Sequence, residues 1–216
     1  NDNLPIIEDA AQSFGASYKG IPSGKLGDIS VLSFDPTKNF NNYGSGGMIL
    51  TDDFEHYEIC RNLRDNGKII HEAPGTNSKM SEADCAQMLV KLNYFDEWQR
   101  RRKEIAEYYI DQLYQYVDII MPGPDVEHAW HKFVIRTDNR SALMHNLSIN
   151  GIETKVHYEY ALYDLGVGYN YVDYSHNLYT ETSAFTRECM SLPIYPELTD
   201  AEVESIVDHI KRYMSL

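Results

Sequence analysis

Short apolar runs alternate with stretches of helical spacing along this chain. Pro5-Ile6-Ile7 is an apolar run that ends in Glu8-Asp9, and it predicts a buried strand with acids at its carboxyl end. Ile29 to Phe34 predicts a second strand and Met48 to Thr51 a third. Between these two, Asp35 to Gly47 carries one Pro, three Asn and three Gly, so it reads as a loop. Asp52 or Asp53 can cap a helix that runs to about Arg64, with Asn66-Gly67 as its stop. Residues 68–80 are irregular, with a turn at Pro74-Gly75.

Ser81, followed by Glu82 and Asp84, opens one long amphipathic stretch. Met88, Leu89, Leu92, Phe95, Ile105, Tyr108, Tyr109 and Leu113 recur at mostly helical spacing to about Tyr116, and they read as core. Met121-Pro122-Gly123-Pro124 breaks the chain and marks a candidate boundary. Beyond it, Ala129 to Arg136 predicts a strand, Ser141 to Asn150 a helix stopped by Gly151, and Glu153 to His157 another strand. A loop rich in Tyr, Gly and Asn follows over 158–180. Thr199 and Glu202 form a capping box for a last helix, whose Val203, Ile206, Val207 and Ile210 face a core. Strands alternating with helices make the expected fold class α/β.

Composition narrows the classes. A chain of 216 residues can hold one large domain or two small ones. Its 43% hydrophobic and 24% charged content is that of a globular protein, which argues against disorder. No apolar stretch of about 18 residues or more is present, so no ordinary spanning helix is expected. Asn1-Asp2-Asn3-Leu4-Pro5 lacks the basic and apolar regions of a signal peptide. It also lacks a Met, so the sequence is expected to start after processing, after trimming or within something longer. The net charge of −14 repels a polyanion and argues against nucleic acid. The basic run Arg100-Arg101-Arg102-Lys103 reads as a solvated helix face. Cys60, Cys85 and Cys189 are far apart and show no Cys-x-x-Cys spacing, as suits reduced thiols in the cytoplasm. His128 and His131 would fall on opposite faces of a strand, so no metal site is expected there.

Ligands of open α/β sheets sit beyond the carboxyl ends of the strands. Asp9 would lie at one such end. Lys38 follows another by a few residues, in a Gly- and Asn-rich loop. Taken singly these signals are weak: a lone Lys is usually a solvated surface residue and a Glu-Asp pair a cap. Ser45-Gly46-Gly47 could cradle a phosphate, but such a Gly pair before a strand is more often a turn.

Together the motifs are more specific. Ile7-Glu8-Asp9-Ala10-Ala11-Gln12-Ser13 is followed by Gly24-x-x-Gly27-Asp28. Ser33-Phe34-x-Pro36-Thr37-Lys38-Asn39 and Gly44-x-Gly46-Gly47-Met48 come next. Asn77-Ser78-Lys79-Met80-Ser81, Ala129-Trp130-His131-x-Phe133-Val134, His157-Tyr158 and Ser191-Leu192-Pro193-Ile194-Tyr195-Pro196 complete the series. This order resembles the DegT family of nucleotide-sugar aminotransferases, which are fold-type I pyridoxal phosphate (PLP) enzymes. The resemblance implies part of a large domain's mixed sheet over 1–85, a long connecting helix over 86–120 and a small α/β domain over 121–216.

It also implies roles. Lys38 matches the lysine that forms a Schiff base with PLP and then moves a proton. Asp9 matches the aspartate that keeps the pyridine nitrogen protonated. Gln12 matches a glutamine beside the cofactor ring, and Ser33 a serine that donates to the phosphate. Asn77 matches an asparagine that reaches the phosphate of the neighbouring subunit, which implies a homodimer with shared sites. His157 and Tyr158 match a region near the sugar nucleotide, although Tyr158-Glu159-Tyr160-Ala161-Leu162 departs from the commoner His-Tyr-Pro-x-Pro-Leu-His form. A lysine at position 38, where some dehydrating relatives carry His, favours transamination. The implied reaction moves an amino group from an amino acid such as glutamate to a nucleotide-linked keto-sugar, in amino-sugar or polysaccharide synthesis. A PLP-binding regulatory homologue is the alternative, as is a piece active only with a separate N-terminal part. The family chain has a long segment before its Glu-Asp-Ala-Ala-Gln motif, so this sequence resembles roughly its last three-fifths. On that reading the strands near Ile6, Leu32 and Ile49 keep open edges and an uncovered face, and the segment alone binds PLP poorly.

Overall fold

A computed structural model of the protein describes residues 4–69, 74–166 and 179–215. Residues 1–3, 70–73 of the expected irregular stretch and 167–178 of the expected Tyr-rich loop lie outside the described residues. The chain divides into two compact units, Asn1–Arg100 with Pro122–His131, and Arg101–Met121 with Lys132–Leu216.

The first unit is built on a three-stranded sheet. β1 (Ile7–Asp9) pairs in parallel with β4 (Ile29–Ser33), and β4 pairs antiparallel with β5 (Gly47–Leu50). Between β1 and β4 run β2 (Ser17–Tyr18) and β3 (Ile21–Pro22), which form a hairpin that the later β7 (Val126–Glu127) joins. Asp53 caps α1 (Phe54–Arg64) by accepting from the His56 amide at 2.9 Å. Its stop is as expected, with Asn66 and Gly67 at φ of 59° and 71°. Ser81 caps α2 (Glu82–Leu92).

The alternation of the strands sorts the main sheet into two faces. Register puts Glu8 opposite Ser30 and Leu32 opposite Met48, on one face. There Leu32 joins Ala10, Phe34, Phe40, Met88 and Phe95 in a core, with Phe14, Leu50, Met80 and Trp98 packed against it. Phe14 stacks on Phe40 at 5.1 Å and meets Phe95 edge-on at 4.8 Å, geometries that aromatic pairs favour. Ile7, Asp9, Val31, Ser33 and Ile49 share the other face. The expected buried strand at 5–7 is not buried: Ile7 is 73% exposed and Ile49, on the same face, 51%.

Two helices stand where one was expected from Ser81 to Tyr116. α2 ends at Asn93, and α3 (Phe95–Leu113) begins after a turn in which the Tyr94 amide donates to Lys91 O at 3.0 Å. Within α2, Met88 faces the core and is buried, while Leu89 and Leu92 are exposed. Helix α3 continues from the first unit into the second.

The second unit holds the antiparallel order β6 (Asp118–Ile119), β8 (Phe133–Arg136) and β9 (Cys189–Leu192). Helices α4 (Arg140–Ile149), α5 (Thr180–Glu188) and α6 (Asp200–Met214) accompany it. Phe133 and Ile135 alternate inward on β8 beside Ile105, Tyr109 and Leu113 of α3, all almost fully buried. The Thr199–Glu202 capping box is present, and Val203, Ile206, Val207 and Ile210 are buried as their spacing predicts.

The basic run on α3 departs from expectation. Arg102 is 8% exposed and donates to the Ile194 carbonyl at 2.7 Å. Arg101 donates to Leu198 O at 2.7 Å, and Tyr109 Oη to Pro193 O at 2.9 Å. Three side chains of one helix thus tie down the turn after β9, whose carbonyls have no strand partner to accept from. Burial pulls the Arg102 guanidinium down to about 10, against the pull of Glu197, and it stays charged at neutral pH.

Candidate active site

The parallel pairing of β1 and β4 brings their carboxyl ends to one edge. Asp9 ends β1 opposite Val31, and Ser33 ends β4 two residues further on, the same side of the sheet. The Asp9 side chain is exposed, and its Oδ1 accepts from the Ala11 amide at 3.1 Å. Gln12 lies in the turn directly after β1 with its side chain exposed.

The loop after β4 is locally ordered. Ser33 Oγ accepts from the Asp35 amide at 3.4 Å. Asp35 Oδ1 accepts from the Thr37 amide at 3.0 Å and its hydroxyl at 2.7 Å, an Asx turn that brings the chain round for the Lys38 amide to donate to Asp35 O at 2.9 Å. The two Thr37 donors, and then the Lys38 charge, hold the Asp35 carboxyl below the usual range although desolvation opposes them. Lys38 itself is half-buried.

Two residues that sequence reasoning passed over build this edge. The Glu8 carboxylate accepts from Ser23 Oγ (3.0 Å), the Gly24 amide (2.9 Å), the Leu26 amide (2.9 Å) and Ser30 Oγ (2.8 Å). Burial acts to raise its pKa, and the four donors more than offset this, leaving it below the usual value. Glu8 therefore staples the 23–26 turn to β1 while Asp9 is left on the opposite face. The second is Asn39. Its Nδ2 donates to Ala129 O at 2.6 Å and Gln99 Oε1 at 3.1 Å, and its Oδ1 lies 3.1 Å from His131 Nδ1.

The segment 128–131 is irregular with a bend at His131, not the first half of a strand. Trp130 takes φ 47°, its amide donates to His128 Nδ1 at 2.9 Å, and the strand starts only at Phe133. The reason given above for separating His128 from His131 therefore does not hold. What occupies them is seen instead, since each Nδ1 has a protein partner. Burial lowers the His128 pKa. Among the described residues no group of three His, Cys, Asp or Glu is placed to hold a metal ion.

The Gly pair before β5 is packed against protein. A Cβ on Gly46 would meet Met80 Cε at 2.9 Å, and one on Gly47 would meet Leu32 O at 2.8 Å. These glycines let β5 and Met80 close on β4, as the turn reading has it.

Asn77 sits elsewhere in the first unit. It bridges Asp65 at the end of α1, flanked by the Thr76 amide donating to Leu63 O at 2.8 Å. No hydrogen bond joins it to Asp9, Ser33 or Lys38 among the described residues. His157 and Tyr158 belong to the second unit. The strand expected over Glu153–His157 is a single bridge, Lys155 to Ser191. His157 Nδ1 lies 2.8 Å from the hydroxyl of Ser191, which is buried, and Tyr158 is 61% exposed. Burial first, and then Lys132 and Lys155, lower the His157 pKa, so its ring favours the neutral form.

A family model, the DegT/DnrJ/EryC1/StrS aminotransferase family, matches residues 1–211. The chain belongs to that family. Among its relatives, a Streptomyces venezuelae dTDP-3-amino-3,4,6-trideoxy-alpha-D-glucose transaminase is 34% identical over 215 residues, 97% of this chain and 56% of that one. A Geobacillus stearothermophilus protein named pleiotropic regulatory protein is 36% identical over 217 residues, 97% of this chain and 58% of that one. The X-ray structure of S. venezuelae DesV in complex with a ketimine intermediate superposes with a TM-score of 0.93 at 32% identity, over 99% of this chain and 58% of that one. The fold is thus that of the family aminotransferases, and the chain spans somewhat more than half the length of these relatives. Among the described residues no helix is long and apolar enough to cross a membrane.

Proposed function

We propose that the protein is a PLP-dependent aminotransferase that moves an amino group from an amino acid, glutamate by preference, to a nucleotide-linked keto-sugar. One observation carries the reading. In a chain of an aminotransferase family, a carboxylate and a hydroxyl share one face at the carboxyl edge of a parallel strand pair, and a half-buried lysine follows five residues later. This donor set fits PLP. It offers an amine for the aldehyde carbon, a carboxylate for a protonated ring nitrogen and a hydroxyl for a phosphate oxygen.

Bound PLP supplies an electron sink that makes a proton on the adjoining carbon of the amino acid removable. The chain's own residues do the rest. Lys38 Nζ would be the amine that holds PLP, with the cofactor supplying its aldehyde carbon. When not bonded to the cofactor, the same Nζ would serve as the base and acid that moves the substrate proton. Asp9 holds a proton on the ring nitrogen by accepting a charge-assisted hydrogen bond. Ser33 Oγ and, from a second copy, Asn77 donate to the phosphate, which makes the working form a homodimer. Gln12 orients the ring. His157 and Tyr158 contact the sugar nucleotide, with His157 fixed by its bond to Ser191 Oγ. The transaminase relative that acts on a dTDP-linked sugar supports this substrate class. Reduced cysteines at 60, 85 and 189 suit a cytoplasmic setting.

The relative named as a regulatory protein favours a second reading, a PLP-binding regulator. A turnover assay of the full-length protein with glutamate and a keto-sugar nucleotide separates the two. Amino-sugar formed at more than one equivalent per site supports the enzyme. A cofactor that stays bound with no turnover on any dTDP-, UDP- or GDP-linked keto-sugar supports the regulator.

A further inference from the structure

Lys38 is followed by Asn39, whose side chain makes three hydrogen-bonded contacts away from its loop. The Ala129 carbonyl can only accept, so the group that Asn39 turns to it at 2.6 Å is the NH2. That orientation faces Asn39 Oδ1 to His131. Because an amide oxygen can only accept, His131 Nδ1, 3.1 Å away, carries a proton and donates it. Gln99 of α3 closes the ring, since its Oε1 accepts from Asn39 at 3.1 Å and its Nε2 donates to Ala129 O at 3.2 Å. His131 and Trp130 are both 7% exposed, while Asn39 and Gln99 are half-buried, so the clasp is partly shielded from water. Its far end is the segment that holds Trp130 at φ 47°, which is uncommon for a bulky residue. A conformation of that kind persists where its neighbours enforce it.

We infer that Asn39 is a positioning residue for Lys38: it anchors the lysine loop to Ala129 and His131 and thereby sets where the amine stands. The inference rests on the PLP reading above, because it assigns the anchored amine its work. Beyond Asn39 the loop has other long-range ties: Phe40 is buried against Phe14, Phe34 and Phe95, Lys91 Nζ donates to Asn41 O at 2.9 Å, and Gln87 Nε2 donates to Asn42 Oδ1. Its Lys38 amide bonds locally to Asp35, and its Asn42 amide returns to Phe34 O at 2.8 Å. Without the clasp the remaining long-range ties begin at Phe40, so the Lys38 backbone rests on its local bond to Asp35 O and the amine is less firmly placed.

The test uses the full-length protein with Asn39→Ala and the near-isosteric Asn39→Asp, which keeps the shape but puts an oxygen against Ala129 O. Amide hydrogen exchange is followed without cofactor. The pH midpoint of the absorbance change is followed with PLP bound, and borohydride reduction with peptide mapping locates the link to Lys38. Both variants are expected to fold. The Lys38 amide should exchange about tenfold faster. The absorbance midpoint should move by about half a pH unit or more, in the same direction in both variants. Faster exchange with an unmoved midpoint would show a merely structural clasp and overturn the inference, as would wild-type behaviour in both readouts. If Asn39→Ala does not fold, Asn39→Asp decides by the same criteria. A wild-type protein that gives no adduct on Lys38 would instead refute the PLP reading, and the inference with it.

Discussion

Glu8 and Asp9 are neighbours in the chain and serve opposite faces of one sheet. Glu8 pairs across to Ser30 on the core side and gathers four hydrogen bonds, while Asp9, opposite Val31, is left exposed at the carboxyl edge. Period-two geometry alone divides the pair into a staple and a candidate cofactor ligand.

Replacing Glu8 with Ala should therefore cost stability. It leaves two hydroxyls and two amides without their acceptor, at about 2–4 kcal/mol in all. Chemical denaturation would show this as a lower midpoint at unchanged slope. The pH dependence follows from its lowered pKa. Glu8 contributes fully above the ordinary glutamate value, and its contribution is lost as pH falls through the lower folded value. The wild type should lose stability over that acidic window, and Glu8→Gln should flatten the loss. Equal acid sensitivity in both proteins would contradict the assignment.

Tyr109→Phe isolates one bond of the α3 clamp. It deletes only the hydroxyl that donates to Pro193 O at 2.9 Å and keeps the ring that meets Phe133 at 5.0 Å. The loss should be about 1 kcal/mol, read as a fall in Tm, whereas Tyr109→Ala should cost about 3–5 kcal/mol through the cavity it opens.

The open face of the main sheet gives a third expectation. Ile7 and Ile49 are exposed there on strands at the two edges of the β1-β4-β5 sheet. The segment 1–216 produced alone should self-associate, because exposed apolar strands pair with other chains. Ile7→Thr with Ile49→Thr keeps β-branched residues in place, so light scattering should fall while circular dichroism is unchanged. Scattering that stays as high as before would show that association uses another surface.

Much of this architecture is legible in the sequence where the signal is local. β4, β5, α1 and α6 follow from apolar runs, an Asp cap and a capping box, each decided by residues within a few positions of one another. Asp9, Lys38 and Ser33 stand out because motif order is also a property of the linear chain. What escaped is long-range. Glu8 draws on Ser30, 22 residues away, and Asn39 on His131, 92 residues away, and no periodicity reports such pairs. Arg102 looked like a solvated charge because its partner carbonyl at Ile194 is likewise 92 residues distant. Ala129 to His131 reads as strand from its apolar content. Side-chain bonds from Asn39 and His128 hold it in an irregular bend instead, so tertiary contacts outweigh propensity there.

The central claim is that Lys38 carries the cofactor. Full-length protein loaded with PLP, reduced with borohydride and mapped by mass spectrometry should give one modified peptide, with the pyridoxyl group on Lys38. Lys38→Ala should lose both the adduct and turnover. An adduct on another lysine, or transamination that persists in Lys38→Ala, would contradict the account.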